Sequence, residues 1–147
     1  MSTHSTVKSA ALSDIKSITA GAEEFLPQIL KIQEGQDIGV TYDANAKSVR
    51  MHGSERTKVN KGVLKFSDTQ YDVGINEEED GSVTLHYDSW VSGGRLRKRI
   101  EGKSQTGEPA NVKLCQSYHR AAKQAKSTGK RMRTAEVDGR LMAFVPA

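Results

Sequence analysis

Apolar residues occupy every second position in two neighbouring stretches near the middle of the chain, residues 71–75 and 83–87. A period of two is typical of half-buried β-strands. Between the two stretches lie four consecutive carboxylates, which resist burial, and then Gly81, which tolerates the positive φ of a turn. The pattern therefore predicts an antiparallel hairpin.

The apolar faces also predict the register of this hairpin, because a slip of one residue would turn every apolar side chain to the wrong side of the sheet. A two-residue turn at Asp80-Gly81 would place Ile75 opposite His86. We therefore expect a longer loop with Gly81 as a bulge. The expected opposite pairs are Ile75–Val83, Val73–Leu85 and Tyr71–Tyr87.

The same register places Asp72 opposite His86 on the polar face of the hairpin. An Asp–His pair can orient a general base, which would indicate an enzyme. The alternative is an exposed cross-strand polar pair that contributes little to stability. We favour this alternative, because a catalytic pair with perturbed pKa values needs burial that an outward face lacks.

Two segments show the three- and four-residue apolar spacing of amphipathic helices. The first begins near Ser13, a favourable N-cap residue, and Pro27 is expected to end or kink it. The second spans residues 112–127, and its apolar stripe contains Cys115, which we interpret as a small core residue. The opposite face of the second helix is basic and carries His119, Arg120, Lys123, Lys126 and Lys130.

Shorter apolar stretches predict further strands at residues 5–10, 38–42, 48–52 and 63–66. Residues 54–61 are polar and predict a loop. Residues 132–137 and 141–145 flank Asp138-Gly139, a typical hairpin turn. The order is strand, helix, five strands, helix and two strands. We therefore expect one α+β domain over residues 1–147, with two helices packed on one face of an antiparallel sheet.

The composition limits the class of protein. Hydrophobic residues make up 35% of the chain and charged residues 27%, so the core is modest. A single cysteine excludes an internal disulfide and fits a reducing compartment. No apolar run approaches the roughly 18 residues of a membrane span, and the first residues lack the apolar region of a secretory signal. We therefore expect a cytoplasmic protein without membrane contact.

Charge is distributed unevenly along the chain. Residues 1–90 carry 9 Lys/Arg against 14 Asp/Glu, a net charge of −5, whereas residues 91–147 carry 13 against 4, a net charge of +9. The asymmetry indicates either an anionic partner for the C-terminal half or attraction between the two halves within one fold. The sequence favours neither interpretation.

The densest basic run, residues 95–99, lies in a Gly- and Ser-containing segment that predicts a flexible basic loop over about residues 91–109. A glycine pair beside arginines can clamp phosphate, but no spacing here matches a phosphate loop, and a solvated basic loop is the commoner arrangement. The candidate binding residues of this run and of the basic helix are Arg95, Arg97, Lys98, Arg99, Tyr118, His119, Arg120 and Lys123.

Sequence motifs of known chemistry do not stand out. The four histidines show no metal-ligand spacing, and no nucleophile elbow occurs. We therefore expect no metal, no cofactor and no catalytic residues. Aromatic residues are few, at 5%, so any nucleic acid would be bound mainly through its phosphates and in a salt-dependent way.

Three segments carry a family pattern: MSTHSTVKSAALSDIKSI at the start, VLKFSDTQYDVGINEEEDGSVTLHYDSW in the centre and CQSYHRAAKQAKSTGKRMRTAEVDGRLMAFV at the end. Tyr71, Trp90, Tyr118 and Gly129 stand at positions of that pattern. The segments resemble the uncharacterised plastid and cyanobacterial open-reading-frame family of the ycf-thirty-five type, a domain of unknown function that also occurs in bacteria and phages.

This resemblance implies an accessory role, since genes of the family often lie beside one for an AAA-type ATPase, and it supplies no catalytic residues. Our first hypothesis is a small non-enzymatic accessory protein that binds a protein partner, such as an AAA-type ATPase or a phage or host defence component. The alternative is an anion-binding module, for a nucleotide or nucleic acid, that uses the basic C-terminal half.

Overall fold

The computed structural model describes residues 4–9, 11–53, 55–90, 94–103 and 107–147. The described elements are, in chain order, β1 (His4–Lys8), α1 (Ile15–Glu34), β2 (Val40–Asp43), β3 (Ser48–Arg50), β4 (Arg56–Lys58), β5 (Val63–Phe66), β6 (Val73–Glu77), β7 (Val83–Asp88), α2 (Arg95–Glu101), α3 (Ala110–Ser127), β8 (Arg133–Val137) and β9 (Arg140–Phe144). The α+β class is confirmed, and the element order is close to the predicted one.

The main sheet has five strands in the order β1-β7-β6-β5-β2, and every neighbouring pair is antiparallel. One face of this sheet is apolar and packs against α1 and α3, which contact each other closely. The strand residues of this core include Leu64, Val73, Ile75, Leu85 and Tyr87, all of them buried. The predicted placement of the helices on one sheet face is therefore confirmed.

The first helix differs from its prediction at both ends. Its N-cap is Asp14 rather than Ser13, because the Asp14 carboxylate accepts a hydrogen bond from the Ser17 N–H at 3.2 Å. Pro27 does not end the helix, which continues to Glu34. An interior proline costs about 3 kcal/mol, but buried apolar residues lie on both sides of it, and their packing keeps the helix continuous.

The central hairpin is confirmed, but its predicted register is wrong by two residues. Ile75 lies opposite Leu85 rather than Val83, and Gly74 rather than Asp72 lies opposite His86. The loop is longer than two residues, as predicted, and Gly81 has a positive φ of 84°. A shift of two residues keeps the same apolar face inward, so hydrophobic alternation alone does not distinguish the two registers.

A second hairpin, β3–β4, covers part of the opposite face of the main sheet. Its core consists of Val49, Met51, Val59 and Val63, and β4 lies within the segment that we predicted as a loop. Gly74 makes this close contact feasible, because a Cβ there would lie 3.0 Å from Cγ1 of Val49. Because glycine has no Cβ, the β3–β4 hairpin can lie directly on β6.

The prediction of a flexible basic loop over residues 91–109 is wrong for its basic part. Residues 95–101 form α2, in which Leu96, Arg99, Ile100 and Glu101 are buried. Residues 91–93 and 104–106 of the predicted loop lie outside the described residues, as does residue 10 at the end of the first predicted strand. Leu96 and Ile100 face the core with the four-residue spacing of a helix, which the preceding glycines obscured.

The C-terminal third follows its prediction more closely. Helix α3 spans Ala110–Ser127, and Cys115 within it is fully buried, so its interpretation as a core residue is confirmed. Strands β8 and β9 form the predicted hairpin, with Asp138 and Gly139 at positive φ in a two-residue turn. This hairpin is a separate two-stranded sheet that packs beside α1.

Candidate docking surface on the C-terminal hairpin

Arg99, a predicted binding residue, is engaged inside the fold. Its guanidinium is 0% exposed and forms bidentate contacts with Glu34, at 3.1 Å from both Nε and Nη2. It also contacts Asp68, at 2.7 Å from Nη1 and 2.6 Å from Nη2, and lies over the Phe66 ring. Hydrogen bonding from Arg99 lowers the pKa of the Asp68 carboxyl. Arg99 is therefore not available to bind an external phosphate.

The other arginines of α2 also pair with carboxylates of the chain. Arg97 Nε lies 3.0 Å from Glu101, and Arg95 Nη1 lies 3.4 Å from Asp68. Glu101 is itself buried and accepts a hydrogen bond from the Tyr87 hydroxyl at 2.9 Å. Burial and this hydrogen bond raise the pKa of Tyr87. Arg95 and Arg99 thus join α2 to the turn after β5 and to the end of α1, whereas the Arg97 contact lies within α2.

Lys98 is the exception in this run, because its side chain is exposed and forms no ion pair with a residue that the structure describes. Its neighbours in sequence, Arg97 and Arg99, contact Glu101 and Glu34 respectively. One lysine without a carboxylate partner gives α2 little capacity to bind an anion. Of the candidate binding residues at positions 95–99, the three arginines are therefore paired with carboxylates of the chain.

The candidate residues of α3 do not form one solvent-facing site either. The Tyr118 hydroxyl donates to the Leu141 carbonyl at 2.6 Å, and His119 Nδ1 lies 3.1 Å from Ser17 Oγ. Arg120 Nε donates to the Asp14 carboxylate at 3.3 Å. Hydrogen bonds from Ser17, and then the Arg120 contact, lower the pKa of this N-cap carboxyl. The three side chains join α3 to β9 and α1.

Lys123 lies one helical turn beyond Arg120 and is exposed. Lys126 and Lys130 follow it, and both are also exposed. The exposed lysines of α3 that form no ion pair with a described residue are thus concentrated at its C-terminal end and just beyond it. This end leads directly into β8, so the basic surface continues onto the C-terminal hairpin.

Asp72 and His86, the possible catalytic pair, are not brought together. Asp72 lies 3.4 Å from Lys65 Nζ, and burial raises the pKa of its carboxyl. His86 instead contacts His4 on β1 at 3.0 Å and Asn76 on β6 at 3.2 Å. The prediction that Asp72 faces His86 is therefore wrong, and the arrangement offers no Asp–His dyad.

The two faces of the β8–β9 hairpin differ sharply. The opposite pairs Arg133–Phe144, Ala135–Met142 and Val137–Arg140 share one face, and all six residues are exposed. Phe144 is 50% exposed, Val137 42% and Met142 40%. The outward face of the hairpin, defined by these six residues, is therefore an apolar strip with an arginine at each end.

The opposite face of the hairpin is turned toward the helices. Leu141 is buried in the core and its carbonyl accepts the Tyr118 hydroxyl, while Thr134 donates from Oγ1 to Gln28 of α1 at 2.6 Å. These contacts fix the orientation of the hairpin. Because the Leu141 and Thr134 contacts hold this face against the helices, the apolar side chains of the outward face stay exposed.

A pocket of about 270 Å³ adjoins the turn end of the hairpin. It lies between α1 and α3 and β9, and its walls include Ile29, Ile32, Leu114, Tyr118 and Met142. Arg140 borders it, so one apolar recess and one cation lie together at this end of the outward face.

The outward face did not enter our sequence prediction, although its signal was present. The Asp138-Gly139 turn fixes the register of a two-residue hairpin, and period-two alternation then assigns residues 133, 135, 137, 140, 142 and 144 to one face. The sequence does not show which face meets the helices. That information depends on the contacts of Leu141 and Thr134 in three dimensions.

Comparison with known proteins identifies no relative. No protein-family model matches the chain, and neither the curated proteins nor the solved structures include a significant match. The resemblance noted in the sequence therefore stays a prediction. Within the described residues, no group of three or more His, Cys, Asp or Glu side chains is arranged to hold a metal ion, and no helix has the length and hydrophobicity needed to cross a membrane.

Proposed function

We propose that this chain is a non-enzymatic accessory protein that binds an acidic protein partner through the outward face of the β8–β9 hairpin. The observation that carries the proposal is the exposure of Val137, Met142 and Phe144 side by side on one face. Exposed apolar side chains that form one contiguous patch often mark a protein-interaction site. An interface with an aromatic anchor, a methionine and flanking arginines has the composition of a protein-binding surface.

Charge supports an acidic partner. Arg133 and Arg140 lie on the outward face, and Lys130 and Arg131 precede it; all four are exposed, and none forms an ion pair with any described residue. The arginines of α2, by contrast, have carboxylate partners within the fold. Four cations without an ion pair to a described residue therefore lie around the apolar strip, and they outnumber the two carboxylates of the same hairpin, Glu136 and Asp138. Acidic groups on the partner would accelerate and orient its association.

Selection from a library of random 12-residue peptides tests the proposal. We expect the enriched peptides to combine aspartate or glutamate with large apolar residues. Met142→Ser and Phe144→Ser should each weaken binding of a selected peptide by roughly tenfold or more, because each removes an apolar side chain that the bound peptide would bury. Trp90→Ser is the matched control, since Trp90 is also an exposed apolar residue, at 52%, but lies outside the hairpin.

Charge reversal gives a second comparison. Arg133→Glu and Arg140→Glu should lower the association rate and weaken binding, whereas Lys47→Glu, which makes the same change at an exposed position before β3, should not. Peptides enriched without acidic residues would contradict the proposal. Binding that survives both Met142→Ser and Phe144→Ser would also contradict it.

The exposed cations of α3 favour a second candidate, an anion-binding module for nucleic acid. Lys123, Lys126 and Lys130 are exposed in succession, and none forms an ion pair with a residue that the structure describes. Lysines near a helix C-terminus also stabilise the helix dipole, which accounts for part of this charge without a ligand. Titration of a labelled oligonucleotide at several salt concentrations tests this candidate. Affinity that falls steeply with salt and is lost in Lys123→Glu, but not in Phe144→Ser, would favour it over the first.

A further inference from the structure

We infer that the partner segment binds as an additional β-strand along the outer edge of β8. This inference rests on the proposed function and specifies the conformation of the bound segment. It follows from three features of the hairpin: the hydrogen-bonding pattern of its backbone, the difference between its two edges, and the residues that surround the open edge.

The two-residue turn determines which backbone groups of the hairpin point outward. In a hairpin with a two-residue turn, the residues on either side of the turn, here Val137 and Arg140, bond to each other through their backbone N–H and C=O groups. Along the two strands from this point, hydrogen-bonded pairs of opposite residues alternate with non-hydrogen-bonded pairs. Glu136 on β8 lies opposite Leu141 on β9 in a non-bonded pair, so the N–H and C=O groups of both point away from the partner strand. Thr134 and Ala143 form the next such pair. Each edge therefore presents two N–H and two C=O groups.

The edge of β9 is partly occupied. The Tyr118 hydroxyl of α3 donates to the Leu141 carbonyl at 2.6 Å, and this contact confirms that the carbonyl points outward. The Tyr118 side chain thus stands where an added strand would lie. Strand addition on this edge would require the Tyr118 contact to open.

The edge of β8 is open. Four of its five residues are exposed, and the backbone N–H and C=O groups of Thr134 and Glu136 have no hydrogen-bond partner among the described residues. At the β2 edge of the main sheet, by contrast, an outward backbone group has a side-chain partner. There the outward N–H of Tyr42 donates to the Glu23 carboxylate at 3.0 Å. One edge strand is therefore covered by a side chain, and β8 is left available for pairing.

The surroundings of β8 specify the sequence of the added strand. On the outward face, its side chains would pack beside Ala135 and Val137 of β8, and its larger apolar side chains would extend across β8 to Met142 and Phe144 on β9. Beyond them, its acidic residues would meet Arg131 and Arg133, which are exposed at the start of β8. The expected occupant is thus an extended acidic segment with apolar residues at every second position.

Amide hydrogen exchange on the complex with a peptide selected as above tests the inference. The Thr134 and Glu136 amides should exchange at least tenfold more slowly when the peptide is bound, while the Leu141 and Ala143 amides should be unchanged. Protection absent from Thr134 and Glu136 in a saturated complex would overturn strand addition and leave the proposed function standing. Failure to select any peptide that depends on Met142 and Phe144 would overturn the proposed function, and this inference with it.

A substitution at the open edge gives an independent measurement. Glu136→Pro removes one outward N–H and no hydrogen bond within the hairpin, so the free protein should fold and lose at least tenfold in peptide affinity. Glu136→Thr keeps the N–H and removes the same charge, so it should bind the acidic peptide at least as tightly as the unaltered protein does. Equal affinities for the two variants would overturn the inference. If Glu136→Pro does not fold, the exchange experiment on the unaltered chain decides.

Discussion

The guanidinium of Arg99 and the carboxylate of Glu34 form two parallel hydrogen bonds of 3.1 Å, which join α2 to the last residue of α1. Asp68 completes the contact from the turn after β5. Arg99 is fully buried, while both carboxylates retain some exposure, so one cation is held by two partly solvated anions. This arrangement supports the packing of α2 against the fold.

Replacement of Arg99 by Ala should therefore destabilise the protein strongly. The change leaves two carboxylates close together without their cation and removes a large buried side chain, and we expect a loss of about 3 kcal/mol in the free energy of unfolding. Lys98→Ala, at the adjacent exposed position, should change the free energy of unfolding by less than about 0.5 kcal/mol. Urea denaturation of both variants measures the difference. Equal stabilities would show that the Arg99 contacts contribute nothing to the fold.

Gly21 allows α1 and α3 to approach closely, and this contact predicts the sign of a second substitution. A Cβ at Gly21 would collide with the Cys115 carbonyl, whose carbon would lie 2.8 Å away. Alanine is normally better than glycine within a helix by about 1 kcal/mol. Here the collision is with backbone, so α1 and α3 would have to separate, and we expect Gly21→Ala to cost about 2 kcal/mol instead.

Gly39→Ala is the matched control for this prediction. The Cβ of that residue would lie 3.5 Å from the Ser67 Cβ, which is an ordinary contact distance, and the glycine lies outside the helices. Thermal unfolding should show a clear decrease in Tm for Gly21→Ala and little change for Gly39→Ala. A Gly21→Ala protein as stable as the original would show that the two helices separate at little cost.

The elements that depend on local pattern were predictable, and those that depend on distant partners were not. The Asp138-Gly139 turn and the alternation around it indicate the last hairpin from adjacent residues alone. The folding of residues 95–101 as a helix instead depends on Glu34 and Asp68, which lie 65 and 31 residues from Arg99. Without these partners, a run of arginines after glycines is typical of a solvated loop. The register of the central hairpin was ambiguous by two residues for a related reason, since alternation repeats every two positions.

Cys115 should be unreactive in the folded protein. Its thiol is fully buried in α3, and burial raises its pKa, so the reactive thiolate is suppressed. A thiol reagent such as dithionitrobenzoate should therefore label the native chain at least a hundredfold more slowly than the chain in denaturant. Rapid labelling under native conditions would show that α1 and α3 separate readily.

His86 predicts a pH dependence of stability, because its surroundings favour the neutral imidazole. The Asn60 N–H donates to Asn76 Oδ1 at 2.7 Å, which orients the Asn76 amide so that its Nδ2 donates to His86 Nε2 at 3.2 Å. The Thr84 hydroxyl also lies 2.9 Å from Nε2, and it donates its own proton to Glu78 at 2.8 Å. On the other side of the ring, Nδ1 lies 3.0 Å from His4 and 3.3 Å from Thr6. Burial first, and then the charge of His4, lower the pKa of His86, and the nearby Glu78 only partly opposes them.

A base whose pKa is lowered by folding binds its proton less readily in the folded chain than in the unfolded chain. The unfolded chain therefore binds more protons as the pH falls below about 6.5, and the free energy of unfolding decreases in that range. Between about pH 8 and pH 5.5 the unaltered protein should lose more stability than His86→Gln, which removes the titration. The comparison uses the change with pH, because the substitution also alters hydrogen bonds that contribute at every pH. Parallel stability curves for the two proteins would show that His86 titrates alike in the folded and unfolded chains.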